Sequence, residues 1–158
     1  MIRATARVLK NIIEIEVGSE TWIARPVPSM TAPIARQISS LFSTVYETFR
    51  PADSGGIHST VSYHAKKDEI MVQLGETKWR TRSSAFGPLT FEYGNLPYEI
   101  HEKLTGRFAI FQASTMVATG QLGFRSCAMG EYPADLEPFL ANLALGYLVR
   151  TLFWEMFR

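Results

Sequence analysis

Alternation of apolar and polar residues recurs along most of the chain and predicts a mainly β protein. The stretch "IIEIEV" has the two-residue period of a half-buried strand, and with "TWIAR" after the turn residues "GSE" it predicts a hairpin. Further hairpins are predicted where such runs flank short turns, namely "DEIMVQL" with "TKWRTR", "PLTFEY" with "LPYEIHE", and "GRFAIFQ" with "TMVATGQLGFRSC". Together with "IHSTVSYH" these runs make about nine strands, a pattern typical of an antiparallel barrel or sandwich.

One segment between the early strands has a helical period instead. Its apolar residues recur at helical spacing on one face, and they are Ile34, Ile38, Leu41, Phe42 and Val45. The helix should end before Pro51, because proline disfavours the helical conformation in the residue before it. The pattern therefore predicts one amphipathic helix over residues 33–48.

The last residues, "DLEPFLANLALGYLVRTLFWEMFR", predict a second helix that begins at Asp135 as N-cap. Its apolar residues point in most directions, as in a helix enclosed by protein or lipid. The apolar stretch before Arg150 is shorter than the ~20 residues of a membrane span. The sequence therefore favours a helix enclosed by a β-barrel, and leaves open the alternative that residues 135–158 form a membrane or oligomerisation anchor.

The polar positions of this helix share one line. Asn142, Gly146 and Arg150 are four residues apart, so they lie one above the other on the same side. If this side is buried, Asn142 and Arg150 need partners, and we expect strand carbonyls or an acid inside the barrel. Alternatively, the line faces an open seam of the barrel.

Two stretches carry a family resemblance. "GRFAIFQASTMVATGQLGFRS" and "YPADLEPFLANLALGYLVRTLFW" resemble the late hairpin and central helix of the tubby-like superfamily, which includes tubby C-terminal domains, phospholipid scramblases and LURP-one-related proteins. The resemblance implies a twelve-stranded barrel around the C-terminal helix, and suggests membrane-lipid association or a scaffold role. In place of the acidic calcium-binding segment of scramblases the chain has only Glu131, Asp135 and Glu137, so calcium is not carried over. We predict a single tubby-like domain over residues 1–158, with an antiparallel barrel of about 9–12 strands.

Composition restricts the function classes. The chain has 158 residues and a net charge of +1, so no overall field attracts it to nucleic acid or to anionic lipid. Cys127 is the only cysteine, which excludes an intramolecular disulfide and fits a cytoplasmic protein, with peripheral membrane association as a further possibility.

Candidate catalytic groups lack the context that chemistry requires. His58 and His64 lie on one predicted strand ~20 Å apart and cannot chelate one metal together. His101 has no predicted partner, and Cys127 has no adjacent His–Asp pair to activate it, so we interpret it as a buried neutral thiol. We predict no catalytic residue, no metal and no cofactor, and we interpret the protein as a non-enzyme.

The best charged feature is "KWRTR". Lys78, Arg80 and Arg82 share one face of a strand, and three cations in a row can bind phosphate groups. Aromatic residues do not interleave on that face, which disfavours a nucleic-acid partner. The alternative is a solvated strand face neutralised by acids on neighbouring strands, for which the candidates are Asp68, Glu69, Glu76 and Glu92.

These observations predict a non-enzymatic binding or scaffold protein whose partner is an anionic lipid headgroup or another protein. If the partner is an anion, Lys78, Arg80 and Arg82 are the expected contact. A second possibility is a barrel that binds a small ligand, or an enzyme, either of which needs an empty internal cavity. The sequence does not indicate the oligomeric state.

Overall fold

Twelve strands form one antiparallel sheet that curls into a nearly closed barrel. The computed structural model describes residues 1–27, 43–83 and 87–155. The sheet has the order β7-β6-β5-β4-β3-β2-β1-β12-β11-β10-β9-β8. The strands are β1 (Ile2–Arg7), β2 (Ile12–Val17), β3 (Glu20–Pro26), β4 (Ser43–Phe49), β5 (Ser59–His64), β6 (Glu69–Leu74), β7 (Thr77–Arg80), β8 (Leu89–Tyr93), β9 (Leu96–Glu102), β10 (Arg107–Gln112), β11 (Thr115–Gly123) and β12 (Ser126–Met129).

The barrel has a seam between β7 and β8. Every other neighbouring pair forms an antiparallel ladder, including β1 with β12, which joins the two ends of the strand series. Across the seam, Arg82 and Thr90 exchange two backbone hydrogen bonds, at 2.7 and 2.8 Å. The rings of Trp79 and Tyr93 lie 5.4 Å apart and cover the rest of the junction.

A long helix, α1 (Glu137–Glu155), fills the interior. Its residues from Phe139 to Val149 are all buried, and they pack against inward-facing strand residues such as Phe108, whose ring stacks on Tyr147 at 5.1 Å. Gly120 leaves room for this ring, since a Cβ there would lie 2.1 Å from Phe108. The predicted barrel around a hydrophobic C-terminal helix is therefore confirmed.

The start of the helix differs from the prediction. Asp135 lies inside a 3-10 turn, Ala134–Leu136, and α1 begins two residues later. Asp135 is therefore not the N-cap, because Pro133 precedes the turn in an extended conformation and the first helical turn is already under way at Asp135.

Along the polar line of α1, Asn142 and Gly146 face β5 and β6, whereas Arg150 reaches both the β5–β6 turn and β9, on either side of the seam. The Asn142 side chain accepts a hydrogen bond from Ser59 Oγ at 2.6 Å and donates one to Pro138 O at 2.8 Å. Arg150 binds Asp68 in the turn between β5 and β6. The expectation of an acid for Arg150 is confirmed, whereas Asn142 binds a strand hydroxyl and a helix carbonyl in place of a strand carbonyl.

At Gly146 the helix backbone lies close to the side chains of β5 and β6. A Cβ at Gly146 would lie 2.3 Å from Ile70 Cγ2 and 3.4 Å from Val61 Cγ1. Glycine is therefore required here by packing, in the middle of a helix where it costs about 1 kcal/mol relative to alanine.

The predicted amphipathic helix over residues 33–48 is wrong where it can be checked. Residues 43–48 belong to β4, and residues 33–42 lie outside the described residues. The β4 sequence "STVYETF" is rich in β-branched and aromatic residues, and β3 and β5 pair with it on both sides. Sheet pairing on two sides outweighs the helical spacing of Val45 with the residues before it.

The predicted range of about 9–12 strands is confirmed at its upper limit, whereas the alternation pattern alone gave about nine. The twelve strands include β1 and β4, which lie in stretches that were not predicted to be strands, and β12, which was merged with β11. The turn at Phe124 and Arg125 separates these last two strands, and Arg125 has a positive φ of 54°.

The two ends of the barrel differ in the turns that they carry. Among the described residues, the tight turns at 8–11, 65–68, 103–106 and 124–125 lie at the end where α1 finishes, here the C-terminal end. The turns at residues 18–19, 75–76, 94–95 and 113–114 and the loop at residues 50–58 lie at the opposite end.

Candidate functional site

The three predicted cations lie together on the outer face of the barrel beside the seam. Lys78, Arg80 and Arg82 are all exposed, and we call them the basic strip. The residues between them face inward. Trp79 packs on the Phe139 ring at a centroid distance of 5.3 Å, and Thr81 Oγ1 accepts a hydrogen bond from the Ile70 backbone N–H at 3.0 Å. The alternation of β7 holds the cations in one outward row.

The facing residues of β6 carry no charge that could neutralise this row. On β6 the residues opposite Lys78 and Arg80 are Gln73 and Met71, both uncharged. Within the part of the chain that the structure describes, no ion pair involves a cation of the basic strip.

The acids proposed as neutralising partners have other environments. Asp68 binds Arg150, and Glu69 is buried in β6. Glu76 and Glu92 are exposed and, among residues 1–27, 43–83 and 87–155, make no ion pair with the strip. Within these ranges the three cations of the strip are therefore exposed and have no direct ion-pair partner.

A second feature, which the sequence reasoning missed, lies at the C-terminal end of the barrel. Three turns there each carry a large apolar side chain that packs against little else. The exposed fractions are 103% for Leu9, 110% for Leu104 and 82% for Phe124.

Each of these apolar residues has a basic residue next to it in sequence. Lys10 follows Leu9, Lys103 precedes Leu104, and Arg125 follows Phe124. The Arg125 guanidinium carbon lies 4.8 Å from the centroid of the Phe124 ring. We call these six residues the tip surface. The signal that could have found it is a Leu or Phe within a turn, where polar residues, Gly and Pro dominate.

Backbone hydrogen bonds join the three turns into one rim. The Ala6 N–H donates to Arg125 O at 2.9 Å, which connects the ends of β1 and β12. The Leu122 N–H donates to Gly106 O at 2.8 Å, and Gln121 Nε2 donates to Thr105 O at 3.1 Å. The tip surface is therefore a continuous edge of the barrel.

Space for a small molecule lies outside the barrel. A groove of about 880 Å³ follows the outer face of β9 to β12, where Arg107, Phe111 and Gln121 contribute to its lining. Between α1 and the strands near the seam, the void beside Phe139 measures about 10 Å³.

The remaining titratable candidates have local structural roles. His58 Nδ1 lies 3.1 Å from Asp53 Oδ2, and its ring packs edge-on to Trp22 at 4.9 Å. Burial and the nearby Arg50 guanidinium lower the pKa of His58, although Asp53 opposes them. His64 lies 3.3 Å from Ser62 Oγ, and His101 lies 3.0 Å from Glu99.

The interpretation of Cys127 as a buried neutral thiol is confirmed. Its side chain is fully buried in β12, and burial raises its pKa to about 12. Among the described residues, no group of three or more His, Cys, Asp or Glu side chains could hold a metal ion.

Comparisons of the chain with protein-family models, with curated proteins and with solved structures gave no match. In the three described ranges of the chain, no helix combines the length and the apolar character needed to cross a bilayer.

Proposed function

We propose that the protein is a non-enzymatic binding protein that recognises a phosphate-bearing anionic surface through the basic strip. The observation that carries this proposal is the row of Lys78, Arg80 and Arg82, exposed on one strand face, where the residues of β6 opposite Lys78 and Arg80 are uncharged. Cations without acidic partners keep their full charge for a ligand, and each contributes about 1 kcal/mol near an anionic surface.

The position of the strip supports the same function. Along Lys78 and Arg80, β7 forms a ladder with β6 on one side only. Toward β8, the backbone bridge lies at Arg82, and the rings of Trp79 and Tyr93 pack across the seam. An approaching partner therefore reaches the strip from the outer face and from the seam. Because α1 occupies the interior, an outer surface suits binding better than an internal cavity does.

The tubby-like resemblance stays a prediction. A twelve-stranded barrel around a C-terminal helix is the architecture that it implies, but a shared architecture does not establish ancestry or activity. The cytoplasmic, peripheral-membrane location is likewise part of this proposal.

The test is to measure the binding of soluble inorganic polyphosphate to the intact chain by isothermal titration calorimetry. The double variant Lys78→Gln/Arg80→Gln should bind about 30-fold more weakly, which corresponds to two cations at about 1 kcal/mol each. The matched control is Arg3→Gln/Arg25→Gln, which removes the same charge from exposed positions on β1 and β3.

Equal loss in the two double variants would show a nonspecific charge effect and contradict the strip as the contact. Binding of polyglutamate as tight as that of polyphosphate would identify carboxylates, and hence an acidic protein partner, as the ligand chemistry.

A further inference from the structure

We infer that the tip surface docks on an anionic lipid bilayer, with Leu9, Leu104 and Phe124 entering the interfacial region. This inference deepens the proposed function and rests on it for the anionic character of the partner. It depends on different residues, however, and can fail separately.

The apolar side chains of the tip surface provide the first argument. A turn on a soluble surface is normally polar, and an isolated exposed Leu requires no explanation. Here three neighbouring turns on one rim each expose a Leu or Phe almost completely. A flat, deformable apolar layer can receive three separate protrusions at once, whereas a protein partner would need three matching pockets.

The cations provide the second argument. Lys10, Lys103 and Arg125 lie one beside each apolar tip, and none forms an ion pair within the described ranges of the chain. Long basic side chains reach lipid phosphates while the apolar group next to them enters the acyl boundary. Each of the three turns pairs one apolar with one basic residue, which matches a bilayer whose phosphate groups lie above its acyl chains.

Acids at this end of the barrel form no ion pair with the cations of the tip surface. Glu14 forms an ion pair with Arg7, Asp68 and Glu102 both bind Arg150, and Glu69 is buried. Glu155 lines the same depression as Arg125, without an ion pair between them in the described residues. Other acids collect at the opposite end, in or beside its turns, and they include Glu20, Asp53, Glu76, Glu131 and Asp135. Although the net charge is only +1, this separation orients the C-terminal end toward a negative surface.

The rim is also rigid enough to present the tips together. The hydrogen bonds from Ala6 to Arg125 and from Leu122 to Gly106 fix the turns relative to one another before binding. Preorganisation of this kind lowers the entropic cost of docking. The basic strip continues toward this end through Arg82, because Ser83 Oγ donates to the Lys67 carbonyl in the turn at residues 65–68.

The first experiment is co-sedimentation with vesicles of phosphatidylcholine and phosphatidylserine. The variant Leu9→Ser/Leu104→Ser/Phe124→Ser should bind at least about 30-fold more weakly, because each apolar side chain loses its transfer from water. The matched control Ile57→Ser/Leu96→Ser/Met116→Ser removes three exposed apolar side chains at the opposite end and should bind like the unchanged protein. Equal binding by the two triple variants would overturn the inference.

A second experiment reads insertion directly. Because Cys127 is buried, an environment-sensitive fluorophore can be attached selectively to Phe124→Cys, or to Ile57→Cys as the control. Anionic vesicles should shift the emission to the blue and increase it at position 124 only. An unchanged spectrum at both positions, or an equal shift at both, would contradict insertion of the tips.

The two proposals fail in distinguishable ways. If the tip variant loses vesicle binding and retains polyphosphate binding, both proposals stand. If vesicle binding depends on the tips but polyphosphate binding ignores Lys78→Gln/Arg80→Gln, the basic strip is rejected and the tips are kept. If pure phosphatidylcholine vesicles bind as well as anionic ones, the partner is not recognised by charge and the inference is wrong. Unchanged far-ultraviolet circular dichroism verifies that each variant is folded.

Discussion

Arg150 of the central helix donates two hydrogen bonds to the carboxylate of Asp68, from Nε at 2.8 Å and from Nη2 at 3.1 Å. Its Nη1 donates a third to Glu102 of β9 at 3.2 Å. The Tyr63 hydroxyl donates to the same Asp68 at 2.6 Å and accepts from Trp154 Nε1 at 2.8 Å. One side chain of α1 is thus bound to both halves of the sheet.

Replacement of Arg150 by Ala should lower the free energy of unfolding by about 2–3 kcal/mol, because the half-buried Asp68 would lose its compensating charge. The measurement is urea unfolding monitored by tryptophan fluorescence. Arg7→Ala is the control, since its ion pair with Glu14 is more exposed and should be worth less than about 1 kcal/mol. If Asp68→Asn did not recover part of the loss in the double variant, an uncompensated charge would not be the cause.

The same pair predicts a stability decrease in acid. Burial alone would raise the pKa of Asp68, but the hydrogen bonds from Arg150 and Tyr63 outweigh it and lower the pKa. The stability that this depressed pKa contributes is fully present above the unfolded value of 3.8 and is lost as pH falls through the folded value. Unfolding curves recorded at descending pH should therefore decline more steeply for the unchanged protein than for Asp68→Asn. Parallel curves would assign the acid sensitivity to other groups.

Gly146→Ala should destabilise the protein by about 1–3 kcal/mol through overpacking, although alanine favours helices. The new Cβ would overlap with Ile70 Cγ2, so Ile70→Ala in the same chain should reduce the penalty of the glycine substitution. Gly130→Ala is the matched control, because no atom lies within 4 Å of the added Cβ. Thermal unfolding of the two glycine variants, of Ile70→Ala alone and of the double variant Gly146→Ala/Ile70→Ala tests this, and an equal effect at both glycines would exclude packing as the reason.

Asn142 should be intolerant of Ala, with a loss of about 1–3 kcal/mol, because the fully buried amide accepts from Ser59 and donates to Pro138. Thr48 hydrogen-bonds to the Ser59 hydroxyl and extends the network into β4. Chemical denaturation measures the loss, and the exposed Ser83→Ala gives the reference for a hydroxyl at the surface. An unchanged free energy of unfolding for Asn142→Ala would mean that water replaces the amide.

Cys127 should not react with thiol reagents near neutral pH while the chain is folded, because burial raises its pKa to about 12 and blocks access. One thiol per chain should become reactive in denaturant. Absorbance after addition of an aromatic disulfide counts the reactive thiols. Rapid modification of the native protein would show that β12 opens locally.

Local patterns were sufficient to predict much of the fold. The two-residue alternation of "IIEIEV" identified β2, and the apolar residues on nearly all sides of α1 indicated an enclosed helix. Pairing between strands distant in sequence was not predictable in this way. β1 pairs with β12 across nearly the whole chain, and its partner is set by barrel closure rather than by any local period. At Val45 a local pattern gave the wrong prediction. Its helical spacing predicted a helix, but pairing of β4 with β3 and β5 places it in a strand.

The candidate site was predictable only in part. Alternation alone placed Lys78, Arg80 and Arg82 on one face, as the structure shows. Whether acids neutralise these cations depends on residues that are close only in the folded structure. Asp68 was a candidate partner of the strip, and only the structure shows that it binds Arg150. The tip surface needs three turns from separate parts of the chain to meet, which follows from strand order and not from the residues of any one turn.

The position of α1 in the chain has a consequence for synthesis. The twelve described strands precede the helix that fills the barrel, so the ribosome synthesises the strands before the helix that completes the core. Until Phe139 to Val149 emerge, the inward faces of the strands have no apolar partner at the centre, and such unfinished sheets are prone to aggregate. We therefore expect the nascent chain to stay unfolded or chaperone-bound while the strands are synthesised, and to fold only after α1 has left the ribosome.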